Sequence, residues 1–115
     1  MNKPLILQNC SALKGAEHLL STELCANYLA QLDNWQIAEQ GSALRKIFHF
    51  ENYYQTMAFV NALAFIAHQQ DHHPDLGVYY NRCEIRFSTH DVGGLSLNDF
   101  ICAAKTDALF TNQLV

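Results

Sequence analysis

Pro74, coming directly after His72 and His73, fixes where one kind of secondary structure must give way to another. A proline pushes the residue before it out of the α region, so a helix reaching this point has to end near His72 and His73. The preceding run supplies that helix, with Asn52 and Gln55 as a capping pair before M-A-F-V-N-A-L-A-F-I-A. It is apolar almost all round. Met57, Val60, Ala64 and Ala67 form one face and Phe59, Leu63 and Ile66 another. A helix lying on a sheet buries one face, so the second is expected to meet another subunit in a homodimer or homotetramer.

Beyond the proline, residues 78–80 and 83–89 are rich in aromatic and β-branched side chains and read as two strands. A tight turn at Asn81-Arg82 joins them, since asparagine tolerates positive φ. The returning strand brings His90 back beside His72 and His73, and the three imidazoles are expected to line one pocket. A similar hairpin lies upstream, where residues 35–39 and 44–50 alternate around Gln40-Gly41-Ser42. Lys46 shares the parity of Leu44, Phe48 and Phe50, which suggests a position near a sheet edge.

A first helix begins at Ser21 as N-cap, carries Leu24, Tyr28, Leu29 and Leu32 on one face, and ends near Asp33-Asn34. A last helix starts from Ser96, bears Phe100, Ile101, Ala104 and Ala108, and reaches about Leu109. The order α-β-β-α-β-β-α implies an α+β fold, a four-stranded antiparallel sheet with helices packed on one face. Residues 21–115 form this domain. Residues 1–20 show no clear period and are read as an N-terminal arm.

A net charge of -4 with 7 Lys and Arg among 115 residues leaves no basic stripe for nucleic acid. Cys10, Cys25, Cys83 and Cys102 show no C-x-x-C spacing, and Cys25 and Cys102 fall at apolar helix positions, as reduced core thiols would. Lys3 is followed by only Leu5 to Leu7 as an apolar run, too short for a signal peptide, and no segment reaches membrane-spanning length. A cytoplasmic setting is expected.

Three histidines titrating near neutral pH at one place suit a reaction in which one group gives a proton and another takes one. Asp99 sits three residues after Ser96, where a carboxylate caps a helix, and it could also orient His90. His68 and His72 are four apart, as two zinc ligands on a helix would be, with His73, Asp71, Asp75 or His90 available to complete a site. Neither H-E-x-x-H nor a cysteine pair accompanies them, so metal is not expected. Gly93-Gly94 lacks the lysine of a phosphate loop and reads as a turn.

H-H-P at 72–74, Tyr80, His90 and Asp99, flanked by Y-N-R, S-T-H-D-x-G-G-L and D-F-x-x-A-x-x-x-D-A-L, resemble the signature of the pterin-4a-carbinolamine dehydratases over roughly residues 21–110. The resemblance implies a cytoplasmic enzyme that converts 4a-hydroxytetrahydropterin to quinonoid dihydropterin and water, without metal or bound cofactor, often beside an aromatic amino-acid hydroxylase. It further implies that His72 and His90 do the acid-base work, His73 holds or polarises the pterin and Asp99 orients the site. Asp71, Pro74, Ser88, Thr89 and Asp91 would grip the ring. Animal members of this family also serve as dimerisation cofactors of a homeodomain transcription factor, which makes a protein-binding scaffold the alternative. His68 stands where many members carry an acidic residue, and Leu76 replaces a frequent aromatic.

Overall fold

A computed structural model of the chain describes residues 3–112. The elements follow the order α1 (Thr22–Leu29), β1 (Gln36–Ala38), β2 (Ala43–His49), α2 (Tyr53–Gln70), β3 (Asp75–Val78), β4 (Arg82–Phe87) and α3 (Leu97–Asn112). Short 3-10 turns at Leu5–Leu7, Ala16–His18 and His90–Val92 complete them. The strands make one antiparallel sheet in the order β1-β2-β4-β3. Leu44 pairs with Phe87 and Phe48 with Cys83, so the period-two pattern of both central strands points one row of apolar side chains at the helices. The opposite face carries Arg45 bonded to Glu84 at 2.6 Å, and Arg86 paired with Glu39 and Asp75.

Aromatic rings fill the space between sheet and helices. Phe48 lies 4.9 Å from Phe59 and 5.1 Å from Phe110, while Trp35 touches both Phe48 and Phe87. From α3, Phe100, Ile101, Cys102 and Ala103 are all buried. Cys25 and Cys102 are buried free thiols, as their helix positions imply. Burial pushes the Cys83 thiol up to about 11.

Several local expectations change. Ser21 caps α1 by accepting the Leu24 amide, but the helix stops at Leu29, and Cys25 rather than Leu24 faces the core. Lys46 does stand where β2 becomes an edge, since β1 pairs only with residues 43–45 and from Lys46 onward β2 has β4 alone beside it. Its charge is tolerated on the apolar side because Nζ donates to Asp107 at 2.8 Å and to the Asp33 carbonyl, over the Phe48 ring. The second hairpin turns through residues 79–81, with the Tyr79 amide bonded to the Arg82 carbonyl, and Asn81 does not use positive φ. Positive φ occurs instead in the first hairpin, at Glu39, Gln40 and Gly41.

On α2, Thr56, Phe59, Leu63, Ala67 and Gln70 face inward. The outward apolar line is Tyr54, Ala58 and Phe65, with Tyr54 84% and Phe65 64% exposed. Neither apolar face read from the sequence matches this line: Phe59 and Leu63 of one are buried, and so is Ala67 of the face with Met57, Val60 and Ala64.

Candidate active site

The site is built where α2, β4 and α3 converge, and its first determinant is how α2 ends. Asp71 takes the left-handed conformation (φ 53°, ψ 44°), its amide bonds to the His68 carbonyl, and the His72 amide reaches back to Ala67 at 3.1 Å. This is a Schellman stop, with aspartate in the place glycine usually holds. The helix therefore ends before His72 rather than at the residue preceding Pro74. His72 is turned off the helix axis, so His68 and His72 do not share a helical face as a zinc pair would. Among the described residues no group of three or more His, Cys, Asp or Glu side chains is placed to hold a metal ion.

Once off the helix, the His72 ring lies parallel to Phe87 of β4, at 6.0 Å and 11°, and its Nε2 meets Asp99 Oδ1 at 2.7 Å. Asp99 has no solvent exposure, and its other oxygen accepts from the Thr89 hydroxyl at 2.8 Å and the Ser96 amide at 2.9 Å. Each carboxylate oxygen is thus satisfied, which lets a charge stay buried. The Ser96 amide bond makes half of the expected cap. The Ser96 hydroxyl instead meets Thr89 Oγ1 at 2.7 Å. Asp99 both caps α3 and orients a histidine, but the histidine is His72 and not His90.

Burial by itself disfavours a charged imidazole at His72. The hydrogen bond and charge of Asp99, with smaller help from Cys10 and Asp71, outweigh it and raise the pKa above its ordinary value. His72 is only 12% exposed at its side chain, so the pair is shielded from solvent.

Thr89 links this pair to a neighbouring cleft of about 270 Å³, lined also by Ser88, His90, Gly93 and Gly94 with Glu39 and Ser42 from the first hairpin. Reciprocal backbone bonds between Thr89 and Gly94 close the loop that carries His90, and Gly93 supplies the positive φ (83°) this loop requires. His90 and Asp91 are exposed there, as are Asp71, His73 and Ser88; Pro74 is half-buried. The structure thus joins His72, Asp99 and Thr89 by hydrogen bonds and brings Ser88, Thr89 and His90 into one cleft. His72 and His73 do not line that cleft, and the Thr89 hydroxyl is spent on Asp99 and Ser96 rather than free to grip a ligand.

Periodicity gave no sign of the strap that crosses this region. The Cys10 amide donates to Gln70 Oε1 at 2.7 Å, and Ser11 exchanges two bonds with the Asn98 side chain. Gln70 precedes His72 by two residues and Asn98 is next to Asp99, so residues 9–11 tie together the two segments that carry the pair. The one sequence signal was polar residues at buried helix positions, Gln70 and Asn98. Further along, the Gly15 amide bonds the Asp91 carbonyl and the Leu20 amide that of Leu95. The arm is laid over the domain.

Fold and site together define a class: a small α+β protein with a buried histidine-carboxylate pair beside an open, histidine-bearing cleft. The family model described as pterin 4 alpha carbinolamine dehydratase matches residues 18–109. Proteins named "Putative pterin-4-alpha-carbinolamine dehydratase" are similar throughout. That of Stenotrophomonas maltophilia (strain R551-3) is 60% identical over 111 residues, covering 96% of this chain and 95% of its own. That of Xanthomonas axonopodis pv. citri (strain 306) is 57% identical over 107 residues, covering 93% and 91%. Among solved structures, the transcriptional coactivator/pterin dehydratase from Brucella melitensis superposes with a TM-score of 0.75 at 29% identity, over 78% of this chain and 96% of that one. A pterin dehydratase-like protein identified as a RuBisCO assembly factor in the alpha-carboxysome gives 0.58 at 28% identity, over 67% and 89%. The chain belongs to the pterin-4-alpha-carbinolamine dehydratase family, whose named activity is that of a hydro-lyase.

Proposed function

We infer that the protein dehydrates 4a-hydroxytetrahydropterin to quinonoid dihydropterin and water by histidine acid-base chemistry, in the recycling of a pterin cofactor. The observation that carries this reading is the His72–Asp99 pair, held by Thr89 and Ser96 in a chain of this family. In the reaction the C4a–O bond breaks, the departing oxygen takes up a proton and leaves as water, and a ring nitrogen gives up a proton as the C=N bond forms. His72, with its pKa raised, is the proton donor, using the Nδ1 that Asp99 leaves free. His90, exposed in the adjoining cleft, takes the ring proton, so the bound pterin has to reach beyond that cleft to His72 and His73, which do not line it. His73 polarises the pterin, Asp99 positions His72, and Asp71, Pro74, Ser88 and Asp91 surround the ring, while Thr89 acts from below through Asp99.

The reaction needs no metal and no resident cofactor, and the rate with chelator is expected to equal the rate without it. No described helix is long and apolar enough to cross a membrane, and the protein is read as a cytoplasmic homodimer or homotetramer that uses the outward α2 face, able to act beside an aromatic amino-acid hydroxylase. The deciding assay is decay of enzymatically generated carbinolamine. His72→Ala or His90→Ala is expected to slow it by about 100-fold or more, and wild-type rates in both would end the assignment.

The exposed Tyr54 and Phe65 favour one second reading, a protein-binding scaffold such as a dimerisation cofactor of a transcription regulator. A stoichiometric partner retained by His72→Ala, in a chain without dehydratase activity, would favour it.

A further inference from the structure

The strap carries a feature that neither the fold nor the dehydration uses. Cys10 Sγ stands 3.5 Å from Cys102 Sγ, across 92 residues of sequence. The approach is built in. Gln70 and Asn98 fix the backbone on either side of Cys10, while Cys102 sits in α3, 1% exposed. Cys10 is half-buried and Cys102 fully buried, so a reagent from solvent meets Cys10 first. Cys25 and Cys83 are buried, and neither makes a sulfur contact of this kind among the described residues.

We propose that Cys10 and Cys102 form an oxidation site, at which a two-electron oxidant such as hydrogen peroxide joins the two sulfurs in a reversible disulfide that locks the strap onto α3. The chemical asymmetry suits the order of events. The hydrogen bond from Cys102, helped by the positive charge of His72, holds Cys10 below the usual thiol range against the effect of burial. The same bond and its own burial keep Cys102 protonated. The Cys10 thiolate attacks one peroxide oxygen, the O–O bond breaks, and Cys10 becomes a sulfenic acid as hydroxide leaves and is protonated to water. Cys102 then loses its proton and attacks the Cys10 sulfur, expelling the second oxygen as water. Two thiols and one peroxide become one disulfide and two waters, with sulfur oxidised and oxygen reduced. Closing the contact to a disulfide length of about 2.05 Å moves the sulfurs together by about 1.5 Å. The arm around Cys10 has no regular secondary structure to resist that shift. In a reducing compartment such a bond is transient and signals oxidant exposure.

The proposal stands apart from the dehydratase reading, because thiol chemistry alone reads it. The full-length chain is treated with hydrogen peroxide, denatured, alkylated with iodoacetamide and mapped by peptide mass. Two of the four thiols are expected to be lost, with a Cys10–Cys102 linked peptide, a mass lower by two hydrogen atoms, and reversal by dithiothreitol. Cys102→Ala should give no cross-link and a dimedone-trapped sulfenic acid at Cys10. Cys10→Ser, altered on the more exposed side, should leave its remaining thiols alkylatable. Four alkylatable thiols in treated wild type, a cross-link to Cys25 or Cys83, or Cys10 driven to sulfinic acid with Cys102 still free would each overturn the proposal.

Discussion

Replacing Asp99 by asparagine keeps the shape of the buried side chain and changes one thing, the charge that faces His72. In the native chain one oxygen accepts from the Thr89 hydroxyl and the Ser96 amide and the other meets His72 Nε2 at 2.7 Å. The asparagine carbonyl takes the first position, so its NH₂ group confronts Nε2 and forces the imidazole into the neutral form with its proton on Nδ1. The cost is one charge-assisted hydrogen bond in a fully buried place, about 1.5–3 kcal/mol. For a chain of this length about 4 °C of melting temperature is lost per kcal/mol, or about 6–12 °C in all. The pH dependence carries the sharper test. His72 has a raised pKa in the folded chain, so the pair's stabilisation is fully present below the ordinary value of 6.5 and is lost as pH rises through the folded value. In Asp99→Asn, burial is opposed only by the weaker charges of Cys10 and Asp71. The stability gained on acidification through this range should therefore vanish or reverse. Urea unfolding across neutral pH, alongside NMR titration of the His72 ring, reads both effects. An Asp99→Asn chain with the wild-type slope and an unshifted His72 titration would refute the reasoning.

Three further outcomes follow from particular contacts. Thr89→Val removes the hydroxyl shared by Asp99 and Ser96 and should cost about 1–3 kcal/mol in urea unfolding, whereas Thr89→Ser should restore most of it. Lys46→Ala leaves the part-buried Asp107 with Trp35 Nε1 and the Asp33 amide, and should destabilise by about 1–3 kcal/mol by the same measurement. Phe65→Glu places a charge in the outward line of α2, and sedimentation should show a homo-oligomer falling to smaller species while circular dichroism stays unchanged.

The alternation of residues 35–50 and the aromatic and β-branched content of residues 83–89, with helices capped at Ser21 and Asn52, made the α+β order legible, because composition, period and capping are local properties of the chain. The candidate site was legible in its members more than in its wiring. Pro74 marks the end of α2 within a few residues, but the stop is Asp71 adopting positive φ, a choice that aspartate permits without announcing. That small shift takes His72 off the helix and gives it to Asp99. The arm was opaque for another reason. Cys10 meets Gln70 and Ser11 meets Asn98 across 60 and 87 residues, and such pairings leave no period to read. The partner that holds Lys46 was opaque in the same way, since Asp107 lies 61 residues away on α3.

In the proposed reaction His72, its pKa raised by Asp99, hands a proton to the leaving oxygen. The most direct test of this step is the single-turnover rate of carbinolamine decay against pH for the wild type and His72→Ala. The wild-type rate should fall as pH rises through the raised His72 pKa found by NMR, with the variant about 100-fold slower and flat over the same range. A His72→Ala chain that keeps either the wild-type rate or that descending limb would contradict it.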